Sequence, residues 1–114
     1  EFQYKSYQPL TITGDGEQRR DFTYVGDVVN GLILSAEALL VSESIDGEIF
    51  ELGNGENYSI NEVADAFGDY MREYIDERPG EMRETLNTDN KAQDILGWTP
   101  KGNIIKFIRK SYFK

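Results

Sequence analysis

The sequence predicts an α/β fold of short strands alternating with three to four helices, with an α+β arrangement left open by the shortness of the strands. Two observations carry this. Stretches that alternate apolar and polar residues, such as "PLTIT" and "RDFTYV", are followed by stretches whose apolar residues recur at helical spacing. Glycine and proline turns, "GDG" and "RPGE", stand between them. At 114 residues the chain is the size of one domain, so residues 1–114 are expected to share a single core.

Each element has a local reason. Leu10 and Ile12 share one face of a first strand and Thr11 and Thr13 the other. The Gly14-Asp15-Gly16 turn and the β-branched and aromatic residues of "RDFTYV" complete an expected hairpin. Asp27 is expected to cap a helix running to about Leu40, in which Val28, Val29, Leu32, Ile33, Ala36 and Leu40 make one wide apolar face. "EIFELG" then reads as a strand over 48–52, ending at Gly53.

The next helix has the clearest start in the chain. Ser59 and Glu62 form an S-x-x-E capping box, flanked by Tyr58 and Val63 as a hydrophobic staple. Val63, Ala66, Phe67 and Tyr70 continue its buried face. "RPGE" is a turn, because Pro79 fixes its own φ and pushes Arg78 towards extended geometry. "RETL" reads as one more short strand, and a short helix capped at Thr88 or Asp89 stops at Gly97. From Asn103 a basic amphipathic helix follows, with Ile104, Phe107, Ile108 and Phe113 expected inward.

Charge narrows the function classes. Lys and Arg number 12 against 21 Asp and Glu, a net charge of -9, which disfavours partners such as nucleic acid or an anionic membrane. The basic residues Lys101, Lys106, Arg109, Lys110 and Lys114 gather in the segment 101–114, whose helix is expected to dock on the acidic body. There is no Cys and no His, hence no disulfide, no thiolate chemistry and no His-based general acid or metal ligand. A cytoplasmic protein is expected, and a first residue of Glu1 rather than Met suggests a trimmed or excised chain.

Both G-x-G turns, "GDGEQR" and "GNGENY", lack the third glycine of a dinucleotide fingerprint, and no Tyr stands four residues before a Lys. No catalytic, cofactor-binding or metal-ligating residue is therefore assigned. Asp65, Asp69 and Glu73, spaced along one helix face, read as solvated rather than as a metal site. The sharpest positive feature is Arg19-Arg20 in "GDGEQRRDFTYV", since a planar two-pronged donor beside a turn suits phosphate. Composition alone favours surface pairs with Asp15, Glu17 or Asp21. Arg78 has the same two readings, with Pro79 helping to aim it.

The order of motifs adds more. "PLTITGDGEQRRDFTYVGDVVNGL", "GEIFELGNGENYSINEVA" and "RPGEMRETLNTDNKAQDILGWTPKGNI" together resemble the C-terminal portion of NAD-dependent epimerase/dehydratases of the extended short-chain dehydrogenase type. The resemblance implies a nucleotide-sugar-binding region. Arg20 and Arg78 would grip the diphosphate and ribose of a UDP- or dTDP-sugar, with Arg19 an extra surface charge. Leu10, Thr11 and Ile12 would border the base. It also implies that the NAD-binding half and its proton-transfer residues lie outside this chain, which alone would be inactive. Strand 48–52 and the helix over 27–40 would then lack a partner, and self-association is expected there. A stand-alone, non-catalytic module that binds nucleotide-sugars or a protein is the alternative.

Overall fold

A computed structural model describes residues 1–113. Its elements in chain order are α1 (Phe2–Lys5), β1 (Leu10–Thr13), β2 (Arg19–Arg20), α2 (Val25–Val41), a 3-10 turn (Glu43–Ile45), β3 (Tyr58–Ser59), α3 (Ile60–Asp65), β4 (Arg72–Ile75), a π-helical turn (Ala92–Leu96) and α4 (Ile104–Tyr112). Mixed helices and short strands are thus what the sequence foretold. Contacts divide the chain into two units. One holds Glu1–Arg20, Asn57–Thr85 and Ile105 onward; the other holds Asp21–Glu56 and Leu86–Ile104.

In the first unit β1 pairs in parallel with β4, Leu10 opposite Arg72 and Thr13 opposite Ile75. β2 pairs antiparallel with β3, Arg19 opposite Ser59. The expected hairpin between the first two strands is therefore absent. Each strand found its partner far along the chain, and a two-residue β2 is too short to compete for β1. The ladder takes in only the arginines, and none of "DFTYV".

Ser59 caps α3 as expected. Its hydroxyl accepts from Glu62 N (3.0 Å) while Glu62 Oε2 accepts from Ser59 N (2.7 Å). The helix stops at Asp65, however, well before Tyr70. "REYI" leaves the helical pattern to pair with β1, so Asp65, Asp69 and Glu73 do not share a helix face. Asp65 instead accepts from the Arg72 guanidinium at 2.6 Å.

Leu10, Ile12, Ala64, Ala66, Phe67 and Ile108 are buried. Tyr4 stacks against Phe67, Tyr70 and Tyr112 with ring centroids 4.8–4.9 Å apart, each such pair adding about 0.5–1.5 kcal/mol. α4 docks through Ile108 and Tyr112. Phe107 and Phe113, expected inward, are 48% and 49% exposed.

The second unit is built on α2, whose cap lies three residues earlier than expected, at Tyr24 and not Asp27. Asp27 is buried, and its Oδ2 accepts from the backbone of Lys101 (3.0 Å) and Gly102 (2.8 Å). Trp98 Nε1 donates to the Asp27 carbonyl at 2.7 Å. A side chain at Gly31 would meet Leu52 Cδ1 at 2.5 Å and Trp98 Nε1 at 3.2 Å, so anything larger than glycine would make the Leu52 side chain shift. The π-helical turn ends at Gly97 in the left-handed region, where the sequence placed the stop.

Residues 48–52 enter no ladder among the described residues, so the strand expected there is not formed. A strand exists only beside a neighbour, and no other described segment supplies one. Only Asp27 and Gly31 of α2 are buried. Val29, Leu32, Ile33 and Leu40 stand exposed on the face read as apolar, Leu32 at 64% and Leu40 at 86%.

The capping box is local and testable. Ser59→Ala removes an acceptor from Glu62 N and is expected to lower unfolding stability by about 0.5–2 kcal/mol in urea titration. An unchanged midpoint would show that the cap contributes nothing.

Candidate functional site

β2 uses both of its edges. Arg19 faces Ser59 on one side. On the other, its N–H donates to Arg83 O (2.8 Å) and its carbonyl accepts from Thr85 N (3.1 Å), a parallel bridge to Glu84. The Arg19 side chain reinforces this. Nε donates to Asn57 Oδ1 (2.9 Å), Nη2 to Asn57 O (3.0 Å), and Nη1 lies 3.2 Å from Glu62 Oε2. Asn57 Nδ2 in turn donates to Glu84 Oε1 and Thr85 O. Arg19 is not a spare surface charge but a clamp over three segments.

Arg20, the next residue along, is turned to a different task. Its Nη1 donates to Arg19 O at 2.8 Å, and Nη2 lies 3.5 Å from Glu81 Oε1, both side chains 24% exposed. Among the described residues neither arginine forms an ion pair with the neighbouring Asp15 or Glu17. Glu81 closes the Arg78–Glu81 turn, its N–H donating to Arg78 O at 3.2 Å. Pro79 followed by Gly80 at φ +75° is the geometry of a type II turn, which requires a residue tolerant of positive φ in third place. Arg78 is exposed and, among the described residues, makes no side-chain hydrogen bond or ion pair. One carboxylate thus joins Arg20 to the turn that carries Arg78.

The other oxygen of Glu81 accepts from Thr13 Oγ1 at 3.2 Å. Buried Gln18 fixes that hydroxyl, Nε2 donating to Thr13 O (3.0 Å) and Oγ1 (3.1 Å). These groups, with Glu77 and Arg83, line a cavity of about 120 Å³. Typical ligand pockets are roughly 300–1,000 Å³, so this cavity is smaller than an ordinary ligand site, and neither Arg20 nor Arg78 lines it.

Of the three β1 residues, Leu10 and Ile12 turn into the core, Ile12 being only 2% exposed. Thr11 faces outward. Gln3 brackets it, Oε1 accepting from Thr11 N (3.1 Å) and Nε2 donating to Thr11 Oγ1 (2.7 Å).

Beside the cavity, Arg83 grips Asp15 with two parallel bonds of 2.9 and 3.0 Å. This fork, helped by the Glu17 N–H, holds the Asp15 carboxyl down to about 2. In the second unit Asp21 accepts from the backbone of Asn54 (2.7 Å), Gly55 (3.0 Å) and Asn87 (3.1 Å), and from Thr23 Oγ1 (3.2 Å). Burial is the largest single influence on Asp21 and raises its pKa, yet these bonds together outweigh it and lower it.

Sequence reasoning singled out Arg20 and Arg78 and missed Thr13, Gln18, Glu81 and the Asp15–Arg83 fork. Glu81 had a signal, as the last letter of the "RPGE" turn. Gln18 had none, for its partners depend on how β1 and β2 are placed.

The sequence profile of the GDP-mannose 4,6 dehydratase family matches residues 3–111. The chain belongs to this family. It is 32% identical over 110 residues to a UDP-glucuronate 4-epimerase from Thermodesulfobacterium geofontis, covering 91% of this chain and 32% of that protein. A UDP-glucuronic acid 4-epimerase from Bacillus cereus, solved with UDP-glucuronic acid and NAD, superimposes with a TM-score of 0.77 at 29% identity, over 96% of this chain and 36% of that one. A UDP-glucose 4-epimerase from Thermotoga maritima, solved with UDP-glucose, gives 0.72 at 29% identity, over 96% and 37%. The resemblance to NAD-dependent epimerase/dehydratases of the extended short-chain dehydrogenase type is thereby established. The chain spans about a third of the length of the curated relatives it matches.

The Asp15–Arg83 fork predicts a pH effect with a definite sign. A depressed carboxylate pKa adds stability above the ordinary value near 4. That contribution fades as pH falls towards about 2. Carboxyl chemical shifts should show Asp15 ionised well below pH 4, and Arg83→Met should return it to the ordinary range. An unmoved Asp15 in the variant would contradict the fork.

Proposed function

We propose that this chain is the substrate-binding region of an NAD-dependent nucleotide-sugar epimerase or dehydratase, taking the diphosphate of a UDP- or dTDP-sugar between Arg20 and Arg78. The observation that carries the reading is the single carboxylate, Glu81, that links the Arg20 guanidinium to the Arg78 turn. Two cations brought to one turn in a partly closed site suit a dianion. The relatives solved with UDP-glucuronic acid and UDP-glucose support the ligand class. Thr11, which faces outward with its hydroxyl accepting from Gln3, is the side chain of this trio that would border a base, with the backbone of Leu10 and Ile12 beside it.

NAD is assigned to residues outside this chain. Gly14 and Gly16 lead into β2, and Gly53 and Gly55 lead towards β3. Neither turn opens on a helix N-terminus, which a dinucleotide pyrophosphate needs. Hydride transfer is assigned with NAD to that other part of the enzyme, and the chain by itself is read as catalytically incomplete. A cytoplasmic location stays part of the same proposal.

The proposal includes self-association. The exposed apolar face of α2, joined by Ile49 in the segment over 48–52, leaves in water a surface that another copy would cover. Light scattering across dilution is expected to show concentration-dependent mass, abolished by Leu32→Glu with Ile33→Glu. A parent chain that stays monomeric throughout defeats this part of the reading.

Calorimetric titration with UDP tests the site. Arg20→Ala and Arg78→Ala are each expected to weaken binding about tenfold or more, the worth of one charge-assisted contact. Binding unchanged in both variants would sink the assignment.

A further inference from the structure

We propose that Glu81 is a resident anion: its carboxylate occupies Arg20, and an incoming diphosphate binds by displacing it. The inference rests on the diphosphate reading above and goes a step further, to how that site is kept closed to weaker anions.

The geometry of the carboxylate is decisive. Its two oxygens have different partners, Oε1 facing Arg20 Nη2 at 3.5 Å and Oε2 accepting from Thr13 Oγ1 at 3.2 Å. The Thr13 hydroxyl has one proton to give. Gln18 Nε2 donates to the same oxygen at 3.1 Å, so that proton is directed to Glu81. Gln18 is buried and tied also to Thr13 O, so the direction is fixed by the fold and not by solvent.

The arginine is anchored on its other side. Nη1 donates to Arg19 O at 2.8 Å, and Arg19 is held in the β2 ladder. This bond holds Arg20 beside its own backbone and leaves Nη2 as the end that meets a ligand. There it meets Glu81 across a distance longer than the roughly 2.7–2.9 Å of a tight charge-assisted bond. A loose pair exchanges its partner more readily than a tight one.

Exchange has a consequence for selectivity. A site whose competent form is only partly populated binds with an affinity reduced by that fraction. A monoanion meeting Arg20 alone replaces one carboxylate by its equivalent and gains little. A diphosphate that also reaches Arg78 gains a second cation, which no resident acid holds among the described residues. Glu81 is thus a specificity-determining residue, acting by competition rather than by contact.

The experiment titrates the 114-residue chain with inorganic pyrophosphate, a probe without sugar or base. Glu81→Gln is expected to tighten binding about threefold or more, the range of a partly exposed ion pair. Thr13→Val, which unties the second oxygen, should act in the same direction and less strongly. Glu77→Gln removes the same charge from the same cavity without touching Arg20, and should change affinity by less than half as much. Weaker or unchanged binding in both Glu81→Gln and Thr13→Val overturns the inference, and so does an equal gain in Glu77→Gln. Absence of saturable pyrophosphate binding in parent and Glu81→Gln alike would instead bring down the diphosphate site itself, and this inference with it.

Discussion

Arg20 and the Arg78 turn meet because the two-residue strand β2 is paired along both of its edges. Arg19 gives both of its backbone groups to Arg83 and Thr85, while the other edge is held by the antiparallel pairing with Tyr58–Ser59 and by Ile60 N–H donating to Gln18 O at 3.1 Å. A chain of two residues has no register of its own, so this double hold fixes which way the next side chain points. The guanidinium of Arg19 seals the arrangement against Asn57 and Glu62. The adjacent arginines thus divide the labour. One builds the site, and the other is presented by it.

A similar division recurs with the acids. In a chain of net charge -9, several carboxylates bind backbone N–H groups. Asp21 gathers Asn54, Gly55 and Asn87, and Asp27 gathers Lys101 and Gly102. Each satisfies donors that would otherwise be left unpaired in loops, where an unmet buried donor costs about 1–3 kcal/mol. The loops of the second unit are therefore organised by single side chains more than by regular structure.

What was legible in the sequence was what is local. The Ser59–Glu62 box, the turn over Arg78–Glu81 and the stop at Gly97 each close within a few residues, and all are present. Pairing between distant segments was not legible. Nothing in "PLTIT" names "REYI" as its neighbour, and nothing in "EIFEL" reports the want of one. Asp27 looked like a cap because caps are local, while its true partners lie more than seventy residues away. In the site, Arg20 and Arg78 were found by residue type and motif. Thr13, Gln18 and Glu81 became visible only when β1, β2 and the turn were placed together.

The central claim is that Arg20 and Arg78, and not Arg19, receive a diphosphate. Guanidinium Nε–Hε resonances of the 15N-labelled chain, followed while UDP is added, test it most directly. The account predicts that the Arg20 and Arg78 signals move and saturate together, with that of Arg19 unmoved in its Asn57 clamp. Saturation of UDP binding with Arg20 and Arg78 both silent would contradict it.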